Sequence, residues 1–352
     1  MTPDAAELRR RARTLLTRDV YNYYAGGSGR ERTLRASEKA WRQVWIAPRV
    51  LREVSAVNPA AKLLGAQFAT PLCVAPTAFH GLAHPDGELA TAAGTAQAGA
   101  LFVLSTRSTR RIEDVAGVIA AEGGTWWFQV YLMRDRDLSA GLVRRAAAAG
   151  AAALVLTADT PTVGRKRRQA DRELISDRDF LANLGPLDDR SAAAQAADLT
   201  FADIAWLSAT SGGLPVVVKG VLAADDATAC RAHGAAAVIV SNHGGRQLDG
   251  ALPAAFALPD VAGALSRPEG GCEVYADGGI RTGEDALAAV ALGAGAVFLG
   301  RPVLWALACG GADGVRSLLT GLTDDLAVAM ALAGAPTVAD TAGLARIAAA
   351  GW

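Results

Sequence analysis

A histidine and an arginine three residues apart, His243 and Arg246, follow an apolar, β-branched run, Ala237-Val238-Ile239-Val240. They lie in the decapeptide Ser241-Asn242-His243-Gly244-Gly245-Arg246-Gln247-Leu248-Asp249-Gly250. An imidazole takes up a proton near neutral pH. A guanidinium grips a carboxylate through two parallel hydrogen bonds. The glycines between them let backbone approach a flat ligand closely. Base, carboxylate clamp and ligand seat therefore fall within one turn, a combination that packing alone does not explain. By itself His243 reads equally well as a hydrogen-bonded structural histidine; Arg246 and the strand-end position favour the base. His80, His84 and His233 lack such partners and read as structural or peripheral.

The apolar run before His243 is one of eight. The others are Leu72-Cys73-Val74-Ala75, Leu101-Phe102-Val103-Leu104, Trp126-Trp127-Phe128-Gln129-Val130, Ala153-Leu154-Val155-Leu156, Pro215-Val216-Val217-Val218, Cys272-Glu273-Val274-Tyr275 and Ala296-Val297-Phe298-Leu299. Alanine-rich stretches of helical period separate most of them. Continuous apolar strands alternating with amphipathic helices imply a parallel sheet covered on both faces. Eight units of about 25–30 residues fit an α/β fold of the closed (β/α)8 type better than an open doubly wound sheet. No glycine fingerprint follows the first strand, which weighs against a nicotinamide fold. Residues 1–60 read as a helical cap and 61–352 as the barrel. Residues 163–203 form a long polar connection after the fourth strand, of the kind that serves as a lid.

Composition narrows the partners. Hydrophobic residues make up 51% of the 352, enough for a large core, and 35 Lys and Arg balance 35 Asp and Glu. No global field draws the chain to nucleic acid or an anionic membrane. The basic run 165–168 is followed by acidic residues and reads as part of a solvated or site-facing loop. Cys73, Cys230, Cys272 and Cys309 have no metal-ligand spacing and read as small buried residues of a reducing cytoplasm. Glu7–Arg13 has the pattern of an amphipathic helix and not of a leader. The greasiest stretch, 286–300, is short and glycine-broken, so no bilayer span is expected.

In such a barrel, chemistry gathers where strands end. The first strand ends at Pro76-Thr77-Ala78, the second at Ser105, the third at Gln129 and Tyr131, and the fourth at Thr157 and Asp159. Lys219 ends the fifth, Ser241, His243, Gly244 and Arg246 the sixth, Asp277, Gly279 and Arg281 the seventh, and Gly300 and Arg301 the eighth. The last two bring glycine amides and two arginines to where such barrels often hold phosphate. A phosphorylated planar cofactor is expected. An unpaired ammonium at the end of an apolar strand would be costly, which favours a ligand-facing Lys219. Asp159, before Thr160-Pro161, has a turn-shaping alternative; Arg281 has a helix-capping one; Tyr21 to Tyr24 have a packing one.

The chain resembles the FMN-dependent α-hydroxy-acid oxidase and dehydrogenase family, whose members include glycolate oxidase, lactate oxidase and mandelate dehydrogenase. The likeness runs along nearly the whole chain. It is carried by Tyr21-Asn22-Tyr23-Tyr24-Ala25-Gly26-Gly27, Ala75-Pro76-Thr77-Ala78, His84-Pro85-Asp86-Gly87-Glu88, Thr157-Ala158-Asp159-Thr160-Pro161, the decapeptide and residues 277–281. The decapeptide is strongly diagnostic; the others gain weight from their order. The resemblance implies a single FMN-binding domain, 1–352, that oxidises an (S)-2-hydroxy acid to the 2-oxo acid with oxygen as acceptor. His243 would be the base and Asp159 its partner. Lys219 would face the pyrimidine edge of the flavin. Arg246, Tyr23 and Tyr131 would hold the substrate. Pro76, Thr77, Ala78, Ser105, Gln129, Thr157, Ser241, His243 and Gly244 would line the isoalloxazine and ribityl groups, and Asp277, Gly279, Arg281, Gly300 and Arg301 the ribityl phosphate. A cytoplasmic homotetramer is also implied. A hydride or a carbanion route, a quinone as acceptor, a same-fold FMN isomerase and a non-catalytic flavin barrel stay open.

Two positions depart from the family pattern. Arg107 stands where relatives commonly place an aromatic residue, and Lys166 where they usually carry arginine. Lysine is a point charge and makes no bidentate fork. Arg107 pointing inward would suit a larger or more anionic acid than glycolate. Its alternative is a solvent-facing residue before a helix with Glu113 and Asp114 in its first turn. The segments Ala25–Gly29 and Trp127–Tyr131 resemble bacterial hydroxymandelate oxidases, which implies an aryl substrate.

Overall fold

The computed structural model describes residues 4–168, 174, 176, 182–185, 187, 189–266 and 271–347. Residues 169–173, the continuation of the basic run, lie outside them, as do other parts of the expected lid. Three helices open the chain: α1 (Ala5–Leu15), α2 (Arg18–Ala25) and α3 (Arg32–Trp41). Helix ends there; β1 (Val44–Ile46) follows, and residues 47–60, which include Pro48 and Pro59, carry none. A hairpin, β2 (Ala61–Leu63) and β3 (Ala66–Phe68), precedes the barrel.

Strands and helices then alternate: β4 (Leu72–Val74), α4 (Glu88–Gln97), β5 (Phe102–Ser105), α5 (Ile112–Ala121), β6 (Trp126–Val130), α6 (Arg136–Ala148) and β7 (Leu154–Thr157). After the long connection come α7 (Ala202–Thr210), β8 (Val216–Val221), α8 (Ala224–Ala232), β9 (Ala237–Val240) and α9 (Ala254–Leu265). The series ends with β10 (Glu273–Asp277), α10 (Gly283–Ala291), β11 (Ala296–Leu299), α11 (Arg301–Ala333) and β12 (Ala345–Ile347). Strands β4 to β11 close a parallel eight-stranded barrel, with β11 beside β4 and β10 beside β9. Barrel strands buried on both faces explain the continuous apolar runs.

Side chains alternate across a strand, and this sorts the barrel residues. Val103, Trp127, Val155, Val217, Ile239, Tyr275 and Phe298 pack into one interior cluster with Cys73 and Ala75. Trp127, Tyr275 and Phe298 rings stand 5.8–6.1 Å apart at its centre, each burial contributing on the order of 2–3 kcal/mol. Leu63 and Phe68 of the hairpin join the same cluster and close one end of the barrel. Two residues further along β5 to β10 the interior turns polar: Ser105, Gln129, Thr157, Lys219, Ser241 and Asp277; β4 and β11 continue instead to Ala75 and Gly300. Ser105 pairs with Gln129 and Thr157 with Lys219 across neighbouring strands. Period two thus delivers a polar layer on top of an apolar one, at the carboxyl ends.

Candidate active site

The polar layer is buried. Gln129 is 1% exposed, Lys219 3% and Ser241 0%. The Gln129 carboxamide oxygen accepts from Ser105 Oγ and from the Thr106 amide, both at 3.1 Å, and its nitrogen donates to Thr157 Oγ1 at 2.9 Å. Lys219 Nζ donates to Ser241 Oγ at 3.0 Å and pairs with Asp277 Oδ2 at 3.2 Å. Buried ammonium and carboxylate satisfy each other, as buried charges must. Asp277 Oδ1 is buried without a hydrogen-bond partner.

His243 occupies the left-handed region, with φ 58°. A side chain there costs on the order of 1 kcal/mol that glycine would avoid. Ser241 Oγ holds the turn by accepting the His243 amide at 3.0 Å. The ring is thereby aimed at Asp159, whose Oδ1 accepts from Nδ1 at 2.9 Å. Burial works to raise the Asp159 carboxyl, but the charge and hydrogen bond of His243, with Lys219, win and hold it at about 2. Asp159 is therefore ionised, Nδ1 carries the hydrogen, and Nε2 keeps its lone pair. Burial, with Lys219 and Arg246, draws the imidazole below its ordinary value, against the pull of Asp159. A lowered imidazole is an unprotonated, available base at neutral pH.

Arg246 Nη1 donates to the Tyr23 carbonyl at 2.7 Å and the Gly26 carbonyl at 3.2 Å, and its guanidinium carbon lies 5.1 Å from the Tyr23 ring centroid. Tyr23 and Tyr131 are partly buried, and desolvation raises both phenols; Arg246 and Arg107 oppose that rise. Arg107 points inward: it is 9% exposed, and Nη2 donates to the Ala193 carbonyl at 2.6 Å. Lys166 Nζ donates to the Gly164 carbonyl at 3.2 Å. Burial first, then the Arg246 charge, lower Lys166 to about 8.

The two arginines expected at phosphate are engaged within the protein. Arg301 donates to the carbonyls of Tyr24, Gly26 and Gly244, each at 2.9 Å, so it ties the α2 end to the turn that bears His243. Burial, then Arg246 and Arg281, lower it to about 9. Arg281 reaches Glu38 of α3 at 2.8 Å and does not cap a helix through its side chain; the α10 cap is the Thr282–Asp285 box. Gly279, φ +91°, lies where a Cβ would come within 2.2 Å of the Ser37 carbonyl. Pro76, Thr77 and Ala78 follow β4, and Gly300 directly precedes α11.

Sequence reading passed over Gln247, although it sits in the decapeptide. Its side-chain nitrogen donates to the carbonyls of Asp159 (3.1 Å) and Thr162 (2.9 Å), and its oxygen accepts the Gly164 amide at 3.3 Å. It clasps the start of the long connection to the base. The segment after α2 meets the same connection: the Gly29 amide donates to the Arg165 carbonyl at 2.9 Å, and Ser28 bridges to Lys166.

Fold and site together define a (β/α)8-barrel enzyme with an imidazole–carboxylate base, a buried cation and an arginine-rich rim at the strand ends. A family model described as FMN-dependent dehydrogenase matches residues 12–345. The chain is 43% identical over 345 residues to 4-hydroxymandelate oxidase of Amycolatopsis orientalis, covering 95% of both. It is 42% identical over 345 residues to L-lactate oxidase of Nostoc sp., covering 94% of this chain and 93% of that one. A crystal structure of mandelate oxidase superposes with a TM-score of 0.90 at 42% identity and 99% coverage of each chain. The chain belongs to the family of FMN-dependent dehydrogenases, and its cofactor is FMN.

The residues fit that group. A buried layer of mixed donors and acceptors caps an apolar interior, and Asp277 Oδ1 has an unfilled lone pair there. Among the described residues no group of His, Cys, Asp and Glu offers a metal site, and no helix is long and apolar enough to cross a membrane. All four cysteines are free.

Proposed function

We propose that the protein oxidises an (S)-2-hydroxy acid, of aryl type such as a mandelate, to the 2-oxo acid. The acid loses two electrons and two protons, and dioxygen gains them to give hydrogen peroxide. FMN, when bound, supplies the two-electron acceptor. The observation that carries the reading is the His243–Asp159 pair beside Arg246: an available base next to a carboxylate clamp. His243 Nε2 accepts a proton as the alcohol carbon is oxidised, and Asp159 stabilises the imidazolium that results. Arg246, with Tyr23 and Tyr131, holds the substrate carboxylate and fixes the reacting carbon.

Ser105, Gln129, Thr157, Lys219 and Ser241, with Pro76, Thr77, Ala78 and Gly244, would hold the ring system, Lys219 placing its charge where negative charge gathers on reduction. Asp277, Gly279, Arg281, Gly300 and Arg301 would hold ribityl and phosphate. Burial is the main cause of the lowered Arg301, and Arg246 and Arg281 add to it; cations gathered this closely favour an anion. Residues 1–60 serve as a cap and 163–203 as a lid. The reading carries with it a homotetramer in a reducing cytoplasm.

Arg107 shapes the pocket beside the two tyrosines. In an oxygen-uptake panel of glycolate, lactate and mandelates, the wild type is expected to favour the aryl acids. Arg107→Trp is expected to shift the aryl-to-glycolate ratio of kcat/KM by about 10-fold or more, the scale on which pocket shape discriminates. An unchanged ranking contradicts a specificity role for Arg107, and no uptake with any 2-hydroxy acid contradicts the proposed function.

Lys166 makes the substrate site pH-sensitive. Its ammonium is charged below about 8 and neutral above. Carboxylate binding should therefore weaken, and KM rise, as pH climbs through 8 to 10. Lys166→Arg stays charged throughout and should flatten that rise. A KM profile that is the same in both proteins contradicts the assignment.

A further inference from the structure

The proposed reaction leaves one buried histidine unused, beneath the loop that follows β4. His80 is 1% exposed. Its Nδ1 lies 2.8 Å from Thr91 Oγ1 and its Nε2 2.5 Å from Thr77 Oγ1. With the Thr91 hydroxyl donating its single proton to the Gly87 carbonyl, 3.3 Å away, it accepts from the ring. Nδ1 must then carry the ring hydrogen. In a neutral imidazole that leaves a lone pair on Nε2, and the Thr77 hydroxyl donates to it. Burial favours the neutral ring and draws His80 below its ordinary value, with Glu88 and a hydrogen bond to the Thr77 backbone opposing.

The backbone around the ring is fixed as well. Glu88, 1% exposed, accepts from the His80 amide at 2.9 Å, the Thr109 amide at 3.0 Å and Thr109 Oγ1 at 2.5 Å. One carboxylate thus joins the loops that follow β4 and β5. His80 sits on that brace with both ring nitrogens engaged, one of them by a residue of the Pro76-Thr77-Ala78 segment.

We propose that His80 is a positioning residue: through Nε2 it fixes the Thr77 hydroxyl, so that Thr77 meets bound FMN as a hydrogen-bond acceptor and not as a donor. The proposal rests on the reading that Thr77 borders the cofactor. An oxygen presenting only lone pairs attracts an N–H of the ring and repels its carbonyls, so the hydroxyl's direction alters affinity. Without His80 the hydroxyl is free to turn.

The test is the FMN dissociation constant, measured by ultrafiltration of the holoprotein, for His80→Asn, His80→Gln, Thr77→Val and the Thr77→Val/His80→Asn double variant. Asparagine keeps an amide for Thr91 but does not reach Thr77, whereas glutamine presents an oxygen that accepts from Thr77. His80→Asn is expected to weaken FMN about 3- to 10-fold, the scale of one hydrogen bond. His80→Gln should recover most of that. In the Thr77→Val background, His80→Asn should change the constant by less than about twofold. His80→Leu serves in both backgrounds should the asparagine variants not fold. Equal weakening in both backgrounds shows general packing and overturns the proposal. So does Thr77→Val weakening FMN while His80→Asn leaves it unchanged. If Thr77→Val itself changes nothing, the placement of Thr77 beside the cofactor fails, and the proposal with it.

Discussion

Replacing His243 by glutamine is expected to slow reduction of bound FMN by a 2-hydroxy acid about 10²- to 10⁴-fold, the contribution of a positioned general base. Glutamine keeps an N–H for the Asp159 carboxylate, which lies 2.9 Å from Nδ1 in the wild type, but offers no basic atom in place of Nε2. FMN content should stay near wild type, because Gln129 is held by Ser105 and Thr157, and Lys219 by Ser241 and Asp277, none of them by the imidazole. Anaerobic stopped-flow mixing reads the rate directly. A variant within tenfold of wild type would mean that Nε2 does not move the proton. The pH dependence follows from the same geometry. The base works only unprotonated, and its pKa is drawn below the ordinary histidine value of about 6.5. Going down from neutral pH, wild-type kcat/KM should hold to about pH 6.5 and fall below it.

Arg246→Lys carries the second large effect. The guanidinium donates from Nη1 to the Tyr23 and Gly26 carbonyls and lies over the Tyr23 ring. Lysine retains the charge but loses the planar fork and the stacking. Truncating a partner of a buried, hydrogen-bonded charge pair costs about 2–5 kcal/mol. The expected fall in kcat/KM for a hydroxy acid is about 30- to 4,000-fold, most of it in KM. A 2-hydroxy amide, which has no carboxylate to grip, should lose less than about fivefold. An equal loss for acid and amide would show that Arg246 supports the fold of the segment after α2 and does not hold the substrate.

The barrel was legible because buried parallel strands need no polar face. Trp126–Val130, Ala237–Val240 and Ala296–Leu299 begin and end where their apolar runs do. The polar layer was legible for a related reason. In six of the eight strands one inward position beyond the apolar core carries Ser, Gln, Thr, Lys or Asp, where burial without a partner or ligand would be costly. The His243–Asp159 pair was reachable only through the family likeness, since 84 residues separate the two.

Other features depend on distant partners that no local pattern announces. The hairpin over Ala61–Phe68 has strands of only three residues each, and its Leu63 and Phe68 gain their place by filling the barrel end. β1 is three residues long and exists by pairing with β12, some three hundred residues away. The helical reading of residues 42–60 fails there for that reason. Arg301 and Arg281 were read as phosphate ligands from their position alone; their carbonyl and Glu38 partners come from α2 and α3, at the other end of the chain. Arg107 had two readings because its direction is set by the Ala193 carbonyl, deep in the long connection. Helix α11 conceals a break at Gly310 and Gly311, where His84 packs against the second glycine.

The central claim is that an imidazole held by Asp159 and a guanidinium over Tyr23 jointly seize a 2-hydroxy acid beside FMN. Its most direct test is anaerobic mixing of the FMN-loaded protein with (S)-mandelate, followed by the visible flavin absorbance. Complete bleaching is expected, with one 2-oxo acid formed per FMN, then return of the colour and one peroxide per FMN on admitting air. Persistent yellow colour with every 2-hydroxy acid supplied, in protein shown to hold FMN, would contradict it.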